Sequence, residues 1–186
     1  MSLFQPEPDE IAVISQRSWK VAIIDDDAEV HSVTRLVLSG LQIDQMPLQF
    51  FSAYSAAEGL RLFSENRDIA VALIDVVMEE DDAGLQLIDQ VRNQLANHRC
   101  RIILRTGQPG QAPEDRVIRD YDINDYKSKT ELTAQKLKTS VYAALRSYRD
   151  ILTIDESLKA MERVLTSTTS VLRSRTLPHF GSAVLE

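Results

Sequence analysis

The chain has 186 residues, 44% of them hydrophobic, which suits one core domain of about 130 residues with extensions and leaves too little for two full domains. Its 28 acids against 21 bases give a formal net charge of -7, with no basic block or aromatic-and-basic patch of the kind that grips nucleic acid, which argues against direct DNA binding. The single Cys100 forms no internal disulfide, no apolar run reaches about 18 residues, and the first residues lack a signal-peptide pattern, so a cytoplasmic chain without membrane contact is expected.

In chain order, residues 1–18 are polar, with Pro6, Pro8 and one apolar cluster at Ile11-Ala12-Val13-Ile14, and read as an N-terminal tail or arm. Val21-Ala22-Ile23-Ile24 is a first strand and runs into Asp25-Asp26. Residues 28–41 place Val30, Val33, Val37 and Leu41 at helical spacing, with Gly40 as terminator. A second strand over residues 48–53 precedes Ser55-Ala56-Ala57-Glu58, whose spacing is that of a capping box opening a helix through Leu60 and Phe63.

Val71-Ala72-Leu73-Ile74 forms a third strand ending at Asp75, and residues 82–96 carry Leu85, Ile88, Val91 and Leu95 on one helical face. Ile102-Ile103-Leu104-Arg105 is a fourth strand ending at Thr106. After a loop with Gly107, Pro109, Gly110 and Pro113, residues 114–121 suggest a short fourth helix, and a fifth strand ends near Tyr126-Lys127-Ser128-Lys129.

From Thr133 to about Ser174 the chain has neither Gly nor Pro and reads as one helix, longer than a domain needs. Its apolar positions are Leu137, Val141, Ala144, Tyr148 and Ile151, then Ile154, Leu158, Met161, Leu165, Thr168 and Leu172. The step from Ile151 to Ile154 marks a handover from a domain-packed stripe to a projecting coiled-coil seam over residues 150–174, which a parallel homodimer would satisfy. The other reading is a seam that packs back on its own domain or is ordered by a different partner. Leu177-Pro178-His179-Phe180 ends the pattern, and residues 175–186 read as the start of a truncated output region.

Strands alternating with helices five times select a doubly wound α/β fold with a five-stranded parallel sheet, flavodoxin-like, for which 2-1-3-4-5 is a common strand order. In such a sheet chemistry collects outside the carboxyl ends of the strands. Three carboxylates (Asp25, Asp26, Asp75), the Thr106 hydroxyl and a lysine would meet there. Each has a plainer reading alone: Asp25 to Asp27 as helix caps, Asp75 as a turn residue, Thr106 bonded within its loop, Tyr126 as a half-buried aromatic, Lys129 as a solvated cation. Their joint spacing favours a site. Cys100, His31, His98 and His179 lack ligand spacing and read as a buried thiol and surface imidazoles.

This set and its order resemble the receiver domain of bacterial two-component response regulators, over a domain of residues 19–149. The resemblance implies Asp75 as phosphoacceptor, Asp25 and Asp26 as acids for Mg²⁺ joined by Asp75 and the Val77 backbone carbonyl, Thr106 as catalytic and switch hydroxyl, Tyr126 as switch aromatic, and Lys129 as phosphate-binding lysine. Lys127 lies on the same side of its strand, so the family register alone selects Lys129. The implied donor is a sensor histidine kinase or a histidine phosphotransfer protein, and the implied role is signalling, with at most limited autophosphorylation and autodephosphorylation. The switch would drive a C-terminal output missing from this chain, through a dimeric helix. Residues 104–111 and 121–127 are similar to one subfamily, in which a receiver precedes a sensor-like region and an HD-type phosphodiesterase.

Two departures from the family pattern stand out. Glu79 follows Met78 where proline is usual, in an acidic loop of residues 79–82 expected to bear on metal and donor binding. Thr130 follows Lys129 where a cis proline is usual, and a cis bond there would cost about 3 kcal/mol. Two other classes compete: a haloacid-dehalogenase-type phosphatase using Asp25 as nucleophile, with Thr106 and Lys129 as later motifs, and a degenerate receiver serving as a scaffold, in which Asp75→Asn changes nothing.

Overall fold

A computed structural model of the chain describes residues 18–107, 121–129 and 133–183, with side chains in the last stretch described through residue 168. Runs of consecutive apolar residues make strands only where helices cover both faces of the sheet. β1 (Trp19–Ile24), β4 (Val71–Asp75) and β5 (Arg101–Thr106) are such strands, nearly all buried. With β3 (Met46–Ala53) and β6 (Asp125–Ser128) they form a parallel sheet in the order β3-β1-β4-β5-β6. Numbering those five parallel strands along the chain gives 2-1-3-4-5.

A sixth strand, β2 (Gln42–Ile43), adds an antiparallel edge to β3. The two strands join through Asp44 and Gln45 at φ 53° and 64°, the left-handed pair that tight hairpins require. The sequence reading omits this hairpin because neither turn residue is glycine.

Helix α1 (Ala28–Leu38) starts at Asp27, whose side chain accepts from the Glu29 amide, and ends before Gly40 at φ 75°. Its buried face is His31, Thr34 and Leu38, while Val33 is 58% exposed, so the expected stripe of Val30, Val33, Val37 and Leu41 is out of phase. Two of the three inward residues are polar because they bond to other buried groups, and an apolar pattern misses them. Helix α2 (Ala56–Glu65) is capped as the sequence suggests: Ser55 accepts from the Glu58 amide. The Glu58 carboxylate reaches back one residue further, to the Tyr54 amide.

Helix α3 (Ala83–Asp89) continues as a π-helical turn over Gln90–Gln94, with the Leu95 amide bonded to the Gln90 carbonyl. The turn lets both Val91 and Arg92 face inward, and Arg92 donates to the carbonyls of Asn97, Cys100 and Asp122. Leu87 joins Ile88 and Val91 in the core, and Leu95 is half-buried.

One core lies between α2, α3 and the sheet face carrying Ala22, Ile24, Ala72, Ile74, Ile102 and Leu104. Residues alternate across a strand, so Val21, Ile23, Val71, Leu73 and Ile103, all fully buried, face the other way. Trp19 opens β1, donates its indole N–H to the Ile43 carbonyl at 3.0 Å, and meets the Tyr148 ring edge-on at 6.1 Å.

Helix α4 runs Ala134–Ala183, past the expected end near Ser174 and through Pro178. Proline's fixed φ is compatible with a helix, at the loss of one backbone hydrogen bond. The chain divides into two compact units, Met1–Tyr148 and Arg149–Glu186. In the first unit α4 buries Leu137, Val141, Ala144, Leu145 and Tyr148; in the second, Ile154, Leu158, Met161 and Leu165 are exposed. The expected N-terminal arm, apart from Ser18, and the short fourth helix, apart from Tyr121, lie outside the described residues, as does Thr130. Among the described residues no helix is long and apolar enough to cross a membrane.

Candidate functional site

Because the five strands are parallel and paired in flush register, their carboxyl ends share one edge of the sheet. The chain goes from β1 to β3 on one side and then to β4 on the other, so the crevice beside β1 is the topological switch point of this sheet. β1 leads directly into Asp25 and Asp26 there, and β4 ends in Asp75 beside them. One oxygen from each of the three carboxylates lies within 4.8 Å of the others.

Asp25 is fully buried and each of its carboxylate oxygens accepts from at least one donor. Its Oδ1 accepts from the Asp27 amide at 3.1 Å, and its Oδ2 from Arg105 Nη2 at 3.2 Å and Lys129 Nζ at 3.1 Å. Asp75 is 3% exposed; its Oδ2 takes Lys129 Nζ at 2.8 Å, while its Oδ1 is buried without a hydrogen-bond partner. Asp26 is exposed. Val77 follows in the loop after Asp75, half-buried.

Thr106 is buried at the end of β5, and its carbonyl accepts from the Lys129 amide at 2.7 Å, which pins the lysine to the neighbouring strand end. Tyr126 pairs with Leu104 in register and is half-buried against the core. Lys127 turns away from the acids and pairs with Asp125 at 2.8 Å, so between the two lysines it is Lys129 that enters the pocket.

Burial raises the Asp75 carboxyl above the ordinary carboxylate range; the Lys129 ammonium opposes this, Asp25 reinforces it, and Arg105 opposes it more weakly. Burial also works against the charge of Lys129, but its bond to Asp75 and the nearby Asp25 outweigh that and raise its pKa. Divalent Mg²⁺ takes oxygen ligands, commonly one or two carboxylates with waters and phosphate oxygens. A buried carboxylate oxygen without a donor, flanked by a second and third carboxylate, fits such an ion.

Four contributions escape the sequence reading. Arg105, read only as the last residue of a strand, is a buried member of the site. His31 is a correction: it is 3% exposed rather than a surface imidazole, with Nε2 at 2.8 Å from the Asp25 carbonyl and Nδ1 at 2.7 Å from Ser52 Oγ. Since Nε2 faces a carbonyl, it donates there. Glu79, where the family has proline, accepts from the Ala56 amide at 2.8 Å and so caps α2 from the loop that follows Asp75. Gly84 is the fourth: an added Cβ would sit 1.9 Å from the Asp75 carbonyl oxygen. His98 is exposed, as read, and Cys100 is fully buried, which pushes its thiol up to about 12 and leaves it unreactive.

Residues 141–186 match a family described as "Domain of unknown function (DUF3369)". The chain is 44% identical over 179 residues to the 3'3'-cGAMP-specific phosphodiesterase 2 of Vibrio cholerae serotype O1, covering 96% of this chain and 34% of that protein's length. Among solved structures it resembles the signal receiver domain of an HD domain-containing protein from Pseudomonas fluorescens Pf-5, at TM-score 0.59 and 21% identity, covering 72% of this chain and 99% of the other. A response regulator receiver domain from Clostridium thermocellum gives TM-score 0.60 and 23% identity, with 72% and 98% covered. The N-terminal unit of the chain thus has the fold of a response regulator receiver domain.

Proposed function

We propose that the chain is the receiver of a two-component response regulator and takes a phosphoryl group onto Asp75. The observation that carries this reading is the contrast between the two buried acids: Asp25 has both oxygens occupied, whereas Asp75 keeps one oxygen without a donor. It also weighs against a phosphatase with Asp25 as nucleophile.

The Asp75 oxygen attacks the phosphorus of a phosphohistidine on a sensor kinase or phosphotransfer protein. The P–N bond breaks, the imidazole leaves, and an acyl phosphate forms on Asp75. Phosphoryl transfer asks for in-line positioning and cancellation of charge on the transferred oxygens. Lys129 is already bonded to Asp75 and supplies part of that cancellation. Asp26, Asp75, the Val77 carbonyl and, through water, Asp25 would hold Mg²⁺, which when bound neutralises phosphoryl charge. The Thr106 hydroxyl then donates to a phosphoryl oxygen, and Tyr126 follows it inward.

Intact mass after incubation with acetyl phosphate and Mg²⁺ tests the reading. One labile phosphoryl adduct is expected on the wild type and none on Asp75→Asn. An adduct that persists on Asp75→Asn and vanishes with Asp25→Asn would move the case to the phosphatase; no adduct on the wild type would favour a scaffold.

The output proposed for the full protein is an HD-type phosphodiesterase acting on a cyclic dinucleotide. It rests on the relative's name and on the receiver of an HD domain-containing protein, and would place the protein in the cytoplasm. The helix of the second unit is proposed to form a parallel homodimer, because Ile154, Leu158, Met161 and Leu165 are 56–64% exposed at four- and three-residue spacing. Leu158→Asp with Met161→Asp is expected to convert dimer to monomer in sedimentation equilibrium; a monomeric wild type would overturn the dimer.

A further inference from the structure

We infer that Arg105 is a built-in counter-cation of the acidic pocket and sets how weakly that pocket holds a divalent metal. The inference rests on the receiver reading of the site. Arg105 is 2% exposed at the end of β5, paired in register with Asp75. Registered residues of a parallel pair point to the same side, so its side chain emerges on the face that carries the Asp75 carboxylate. From there Nη2 reaches Asp25 Oδ2 at 3.2 Å, and Nη1 reaches the Thr34 hydroxyl of α1 at 3.0 Å.

A guanidinium stays protonated in proteins, so the charge is permanent. With Lys129 beside it, the pocket sets two cations against the carboxylates of Asp25, Asp26 and Asp75. A metal ion therefore meets acids already largely neutralised, and Asp25 can serve it only with an oxygen that already accepts from a protein donor. Thr34 fixes the arginine on its far side, so the cation cannot swing clear without leaving a buried hydroxyl behind.

Removing the charge should tighten the metal. Isothermal titration of chelator-treated protein with Mg²⁺, at fixed ionic strength, is expected to give at least about tenfold higher affinity for Arg105→Met than for the wild type, the effect of one unit charge about 6 Å from a divalent ion even under water-like screening. Arg105→Lys keeps the charge and should stay near the wild-type affinity. If Arg105→Met fails to fold by circular dichroism, Arg105→Gln, which retains donors but no charge, asks the same question.

An Arg105→Met or Arg105→Gln affinity equal to or below the wild type would overturn the inference, as would Arg105→Lys shifting as far as Arg105→Met. A wild type that binds no Mg²⁺ would overturn this inference and the receiver reading together. Bound metal with no dependence on residue 105 would overturn this one alone.

Discussion

Gly84→Ala is expected to be the most damaging conservative substitution in the domain, lowering stability by about 3 kcal/mol. The new Cβ would lie 1.9 Å from the Asp75 carbonyl oxygen, 2.8 Å from its carbon and 3.0 Å from Val76 Cα. All three are backbone atoms of the strand end, so no side chain can rotate away to make room. The Gly84 amide also bonds the Val76 carbonyl at 3.0 Å, which ties the first turn of α3 to the same segment. Either α3 moves off the sheet or the Asp75 backbone shifts, and both disturb the placement of the Asp75 carboxylate. Thermal unfolding followed by circular dichroism should show the midpoint fall by roughly 10 °C for a domain of this size. A midpoint within experimental scatter of the wild type would mean that α3 can slide.

Lys129→Ala is expected to slow acetyl phosphate labelling of Asp75 by about 100-fold, the scale of losing one preorganised charge that meets the developing oxyanions. Two effects act in the same direction. The transferred oxygens lose a cation, and Asp75 loses the group that most strongly opposes the upward effect of burial on its pKa. Initial rates of adduct formation at saturating Mg²⁺ read this directly. An unchanged rate would show that Lys129 is not the phosphate cation and would return attention to Lys127, which pairs with Asp125.

The elements that carry the fold were legible because each of β1, β4 and β5 holds an uninterrupted apolar run, Val21 to Ile24, Val71 to Ile74 and Ile102 to Leu104, buried on both faces of the sheet. The acids were legible for the same reason, as charged interruptions at strand ends. Arg105 interrupts its strand in the same way, and strand parity would have put it beside Asp75. It went unread because a cation next to a hydroxyl has no place in the family pattern. His31 and Thr34 were hidden by their type, since polar residues on a helix read as its solvent face, whereas here they bond to Asp25 and Arg105. The role of Glu79 could not be read locally, because its partner is the amide of Ala56, 23 residues away.

Trp19 gives the chain a built-in optical reporter. It is the single tryptophan of the sequence, and it opens β1, whereas the acids follow the other end of that strand, roughly 20 Å away at about 3.3 Å per residue. Its indole is clamped between the Ile43 carbonyl and the ring of Tyr148, the last residue of the receiver unit within α4. At that distance a ligand at Asp75 has no direct contact with the fluorophore. Any change in emission on phosphorylation would therefore be a signal carried from the strand ends to the indole's contacts with Ile43 and Tyr148.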